Sequence, residues 1–204
     1  MSETKFKFPT EEVELPSKGF LYPEGHPLKS GKIEMKYMTA KEEDILTNQN
    51  YIAKGIVLDK LLQALIITDV KLKDILIGDK NAILIASRIL GYGKDYKIRY
   101  EGQEHIVDLS LLENKPIDEK LFKGGENKFD WELPSSGTKL TFRLLTDGLD
   151  KEIDAEIKGI QKINKSSSPE ISTRMKYLIT SVEGDTSGKT IRDFVDNYLL
   201  ARDA

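Results

Sequence analysis

The tetrapeptide Glu-Leu-Pro-Ser occurs twice, at Glu14–Ser17 and at Glu132–Ser135. After each copy come, in the same order, a short alternating run, a threonine and a helical apolar pattern. In the first copy Ile33, Met35 and Tyr37 alternate with Lys32, Glu34 and Lys36, the signature of a half-buried strand. Thr39 follows, with Glu42 three residues on, which spells a capping box. In the second copy Leu140, Phe142 and Leu144 alternate, Thr146 follows, and Leu149, Ile153, Ile157 and Ile160 form a stripe. A period of two feeding a period of 3.6, written twice, reads as an internal duplication of a strand–helix unit. Leu-Pro-Ser-x-Gly is also a common turn sequence, so it is the shared order of the four features that carries this reading.

Between the copies lies the most helical stretch, about residues 52–90. Ile56, Leu58, Leu61, Leu62, Leu65 and Ile66 cover much of one helix, and Asp79 is placed to cap "KNAILIASRIL". Gly91 and Gly93 stop that helix. A helix apolar on most sides has to be covered by other elements. "YKIRY" and "HIVDL" flank "EGQE", a β-hairpin with Gly102 in its turn. Near the end, Ser168 is read as a cap with Pro169 at the first helical position. That helix carries Ile171, Met175, Leu178 and Val182 and ends at Gly184, and a last helix starts at Thr190 with Asp193 closing a capping box. The expected fold is α+β: a helical core with short strands, a β-hairpin and a pseudo-duplicated strand–helix unit. Its parts are a flexible arm (1–12), an α+β part with the helical core (13–112), an irregular linker (113–128) and a strand-plus-helices part (129–204).

The chemistry-bearing residues exclude more than they suggest. The chain has no cysteine, so disulfides, thiolate metal sites and a cysteine nucleophile are ruled out. A net charge of −3 with both signs mixed argues against a dedicated nucleic-acid binder. The aromatic and basic stretch "YGKDYKIRYEGQ", with Lys94, Lys97 and Arg99, reads as a solvated hairpin face. "GDTSGKT" (184–190) approaches a phosphate-binding loop, but only three residues separate Gly184 from Gly188, and the segment before it reads as helix. His26 and His105 have no acidic residue at metal-ligand spacing. Ser17 and Ser135 lie in turns where a hydroxyl bonds a nearby amide, and no nucleophile elbow is present. Glu42–Glu43 and Asp150–Glu152 sit in helical first turns and suit the helix dipole. No apolar run reaches the length of a membrane span or a signal peptide. The expectation is no catalytic residue, no cofactor, no metal, no membrane and no small-molecule substrate.

The stretches "ELPSKGFLYPEG", "GKIEMKYMTAKEEDIL", "GIVLDKLLQALI", "DVKLKDILIGDKNAILIASRILGYGKDY", "IVDLSLL" and "FDWELPSSGTKLTFRLLTDGLDKEI" together resemble a family of baseplate hub proteins of T-even-type myophages. The resemblance covers most of residues 13–153. Its most specific parts are the Leu15–Tyr22 loop, the Met38–Leu46 turn and cap, and "GDKNAILIASRILGYG". Relatives carrying cysteine pairs suited to zinc near the hairpin differ from this chain, and such relatives continue past the last helix. The resemblance implies a non-enzymatic structural part of a contractile-tail baseplate, in or near the hub, found in the host cytoplasm during assembly and then in the virion tail. It implies other tail proteins as partners. An assembly factor absent from the mature particle is the alternative, and a nucleotide- or metal-dependent enzyme a remote one. The expected interaction residues are Leu15, Pro16, Lys18, Gly19, Phe20, Leu21 and Tyr22, with Phe20, Leu21 and Tyr22 marking a docking loop.

Overall fold

The computed structural model describes residues 9–122, 124–164 and 169–204. The chain divides into two compact units, residues 1–72 with 78–117, and residues 73–77 with 118–204. The crossing at 117/118 falls within the stretch read as a linker. The fold is α+β, with small antiparallel sheets and helices.

In the first unit β1 (Thr10–Glu14) pairs antiparallel with β2 (Lys32–Lys36), from Thr10 opposite Lys36 to Glu14 opposite Lys32. Thr10 to Glu12 therefore belong to a strand and not to an arm, because they pair in register with Lys36, Met35 and Glu34 of β2. Residues 1–8 of the expected arm lie outside the described residues. Three helices follow, α1 (Ala40–Leu46), α2 (Gln49–Ala53) and α3 (Val57–Leu65), and then the long α4 (Ile77–Tyr92), whose first residue falls in the second unit. Leu61, Leu62 and Leu65 of α3 and Ile83 of α4 are buried with Ile33 and Met35 of β2. Each such side chain contributes about 1.5–3 kcal/mol by leaving water. Asp79 is the third residue of α4 and not its cap; the helix begins earlier because Ile77 and Gly78 already adopt helical geometry. The hairpin of β3 (Asp95–Tyr100) and β4 (Gln103–Asp108) closes through Glu101 and Gly102, both at positive φ (49° and 80°). That is the geometry a two-residue hairpin turn demands.

The second unit has β5 (Phe129–Glu132), β6 (Lys139–Phe142), α5 (Asp147–Ile163), α6 (Glu170–Leu178), β7 (Ile179–Val182) and α7 (Gly188–Asn197). The sheet order is β5–β6–β7, all antiparallel. The expected helix through Val182 is thus cut short. Ile179, Thr180 and Val182 are β-branched, and pairing with β6 outweighs a continued helical stripe. Pro169 precedes α6 as its cap residue, and Ser168 lies outside the described residues. The last helix starts at Gly188 and not at Thr190: Ser187 is its cap, and the Ser187 hydroxyl accepts the Thr190 N–H at 3.2 Å. Leu133, Leu140, Ile179, Val182, Ile191 and Phe194 close the core of this unit.

The two units follow one plan. The N–H of Leu15 donates to Gly31 O at 2.8 Å, and the N–H of Leu133 to Thr138 O at 2.9 Å, each at the residue just before the second strand. Six residues after Ile33 and after Leu140 stand the cap residues Thr39 and Thr146. Met35 bridges antiparallel to Ile66, the cap residue ending α3; Phe142 pairs with Ile179, the cap residue ending α6. The copies differ in the turn: Pro16–Ser30 in the first, Pro134–Gly137 in the second. Phe20, Leu21 and Tyr22 consequently have no counterpart in the second copy. They belong to an insertion in the first turn.

Candidate interaction surface

The inserted loop of the first unit is held by its own two ends. Gly19 (φ 76°) and Gly31 (φ 74°) cross so closely that a Cβ on Gly19 would lie 2.2 Å from Lys29 O, and one on Gly31 would lie 2.7 Å from Lys18 C and O. No side chain fits there, and Lys18 beside the crossing adopts positive φ (47°). Asp79, almost fully buried, gathers the loop onto α4. It accepts the Ser17 N–H at 2.9 Å, the Ser17 hydroxyl at 2.7 Å and the Tyr22 hydroxyl at 2.8 Å. The Ser17 hydroxyl also accepts the Gly19 N–H at 3.2 Å. His26 stacks on Tyr22 with ring centroids 4.6 Å apart, and its Nδ1 accepts the Leu28 N–H.

This arrangement corrects the expected docking residues. Leu15, Gly19, Leu21 and Tyr22 are buried, so they build the loop and cannot present a surface. Pro16 and Phe20 are half-buried, and Lys18 alone of the set is exposed. Pro16 and Lys18, with Lys32, Lys115 and Pro116, line a shallow groove of about 390 Å³ within this unit. Glu14 and Ser30 join the three lysines along it. Sequence reasoning missed Asp79 as the anchor of the loop. A carboxylate one turn into an apolar helix was its only trace.

Glu42 closes the capping box at the head of α1. One oxygen accepts the Thr39 N–H (3.0 Å) and hydroxyl (2.6 Å), and the other meets Lys36 Nζ at 2.8 Å. Burial alone would raise its pKa, but the hydrogen bonds from Lys36 and Thr39 outweigh that and hold it at about 2. Glu43 accepts the Tyr92 hydroxyl, and Asp150 pairs with Arg174 at 2.7 Å. These carboxylates bind the helices together.

The "GDTSGKT" loop follows strand β7 and precedes helix α7, so the helical reading of its predecessor is overturned. It is nevertheless unsuited to phosphate. Asp185 already occupies the anion position: it accepts the Ser187 N–H at 2.8 Å and the Thr190 hydroxyl at 2.6 Å, and those bonds hold its carboxyl below the ordinary range. A second anion there would meet a fixed negative charge. His105 is exposed and lies edge-on to Tyr100. Among the described residues no three His, Asp or Glu side chains converge as a metal site, and no helix is long and apolar enough to cross a membrane. No family model, curated protein or solved structure matches this chain.

In the second unit the Glu-Leu-Pro-Ser turn is also held by a distant carboxylate. Asp203 accepts the N–H of Ser135 at 3.0 Å and of Ser136 at 3.1 Å. Here it is the hydroxyl of Ser136, not of Ser135, that accepts a nearby amide, that of Thr138.

Proposed function

We propose that this chain is a non-enzymatic structural component of a contractile-tail bacteriophage baseplate, in or near the hub, acting through protein–protein interfaces. One observation carries the reading: the segments that resemble the family as a set also touch as a set. Ser17 and Tyr22 of the first segment bind Asp79 of "GDKNAILIASRILGYG". Met38, which opens the second, lies so close to Gly91 that an added Cβ would come within 2.2 Å of its Sδ. Segments that a family shares for the sake of one folded unit meet in this way. The loop so fixed presents Lys18 and the edge of Phe20, and a preordered loop loses less entropy on docking than a mobile one. Its partners are other tail proteins, met in the host cytoplasm and retained in the virion.

Affinity purification of the full chain from infected cells tests the reading, with mass spectrometry of what accompanies it. Baseplate proteins are the expected companions, and the chain is expected in purified tails. Recovery of host proteins or nucleic acid alone overturns the proposal. Presence in the baseplate complex with absence from finished tails makes the chain an assembly factor instead.

A further inference from the structure

We propose that copies of this chain associate head to tail by strand pairing, the free edge of β3 in one copy lying antiparallel to the free edge of β5 in another. The inference stands apart from the tail reading and rests on strand edges alone. β3 belongs to a two-stranded sheet and β5 ends the order β5–β6–β7, so each has one edge without a strand partner among the described residues. Such an edge offers a row of backbone donors and acceptors to another chain.

The ladders already present fix which residues point outward. Leu109 N–H donates to Lys94 O at 2.9 Å, so Lys94, Tyr96, Ile98 and Tyr100 turn their backbone groups toward β4, leaving Asp95, Lys97 and Arg99 pointing away, with Asp95 O accepting from Arg88. Leu133 N–H donates to Thr138 O at 2.9 Å, so Phe129 and Trp131 turn toward β6, leaving Asp130 and Glu132 pointing away. Antiparallel pairing through these outward groups sets Lys97 opposite Glu132 and Arg99 opposite Asp130. The same register sets Ile98 opposite Trp131 and Tyr100 opposite Phe129. Opposite charges then meet on one face and apolar side chains on the other. Trp131 is 57% exposed and Tyr100 62%. Arg99 and Glu132 have no ion-pair partner among the described residues, while Lys97 already meets Glu104 at 3.2 Å and Asp130 accepts the Thr141 hydroxyl at 3.0 Å, so those two would share their charge with the new strand.

Pairing β5 with itself opposes carboxylates. Pairing β3 with itself sets Lys97 against Arg99 or against another Lys97, and the register that sets Asp95 against Arg99 needs the Asp95 carbonyl, which already accepts from Arg88 at 3.4 Å. The complementary pairing is therefore between unlike edges, which gives a ring or an open chain and not a two-fold dimer built on one patch. β1 also points acids outward, but the register that sets them opposite Lys97 and Arg99 makes Glu11 face Tyr100.

Sedimentation velocity of the full chain over a concentration series up to about 0.5 mM tests this, a range that reaches weak edge contacts. Self-association is expected to weaken about tenfold or more in K97E/R99E and likewise in D130K/E132K, as like charges then face across the edge. An equimolar mixture of the two variants is expected to associate again, since each reversed edge meets its complement. E12K/E14K is expected to associate as the parent does. Circular dichroism checks folding, and the neutral pairs K97Q/R99Q and D130N/E132Q replace any reversal that does not fold. A parent that stays monomeric, a variant that associates undiminished, a mixture that stays monomeric, or loss of association in E12K/E14K each overturns the proposal.

Discussion

Asp79 and Ser17, sixty-two residues apart, are joined by two hydrogen bonds, one to the Ser17 N–H and one to its hydroxyl. The carboxylate lies in the first turn of α4, where the helix dipole favours negative charge. A third bond comes from the Tyr22 hydroxyl. Replacing Asp79 by Ala leaves three donors without their acceptor, the Tyr22 hydroxyl buried and the two of Ser17 half-buried. The expected cost is about 2–4 kcal/mol of folding stability, read from urea denaturation. Tyr22→Phe removes one bond and its donor together, and is expected to cost about 1 kcal/mol. Equal losses in the two variants would show that Asp79 does not hold the loop.

The crossing of Gly19 and Gly31 gives a sharper comparison. Both sit at positive φ with backbone atoms closer than 3 Å to an added Cβ, whereas Gly25, also at positive φ (80°), has nothing within 4 Å. Gly25→Ala is expected to cost about 1 kcal/mol, the conformational penalty alone. Gly19→Ala carries that penalty plus displacement of the Lys29 carbonyl, and is expected to lose at least twice as much. Thermal denaturation of the two variants side by side decides; similar midpoints would sink the steric account.

How far these features could be read in advance depended on their range. The alternation of Ile33 and Met35, the stripe of Leu149, Ile153, Ile157 and Ile160, the Thr39–Glu42 box and the Gly102 hairpin are local, and each appears in the structure where the residues placed it. The division of residues 170–182 into helix and strand was not legible, because Ile179 and Val182 fit a helical stripe until β6 claims them. The burial of Leu21 and Tyr22 was hidden for the same reason: aromatic residues in a proline-rich loop look like surface until Asp79 arrives from another element. The outward acids of β5 and cations of β3 were visible as letters, but not which edges would be left free.

Glu42 makes the stability of the first unit depend on acid. Its folded pKa of about 2 lies below the ordinary value of 4.5, so the charged form is favoured by folding. That contribution is complete above pH 4.5 and disappears as pH falls through about 2. Glu42→Gln keeps the shape but not the charge opposite Lys36. Stability measured by denaturant titration is expected to fall less steeply between those pH values in the variant than in the parent. Parallel curves would mean that Glu42 titrates alike in both states.

Asp203 uses the device of Asp79 in a wetter setting. Burial pushes its pKa up, yet the bonds from Ser135 and Ser136 prevail and hold it below the ordinary carboxylate value. Ser135 and Ser136 are exposed, and Asp203 is only half-buried. Water can therefore replace the carboxylate at both amides when it is removed, which it cannot do behind Tyr22. Asp203→Ala is thus expected to leave global stability close to that of the parent, because exposed polar contacts contribute little net free energy. Its effect should be local. Amide hydrogen exchange at Ser135, Ser136 and in the turn of residues 200–204 is expected to speed up, while exchange in α5 and β6 stays as in the parent. A loss as large as that of Asp79→Ala would mean that the second turn is as deeply built into its unit as the first.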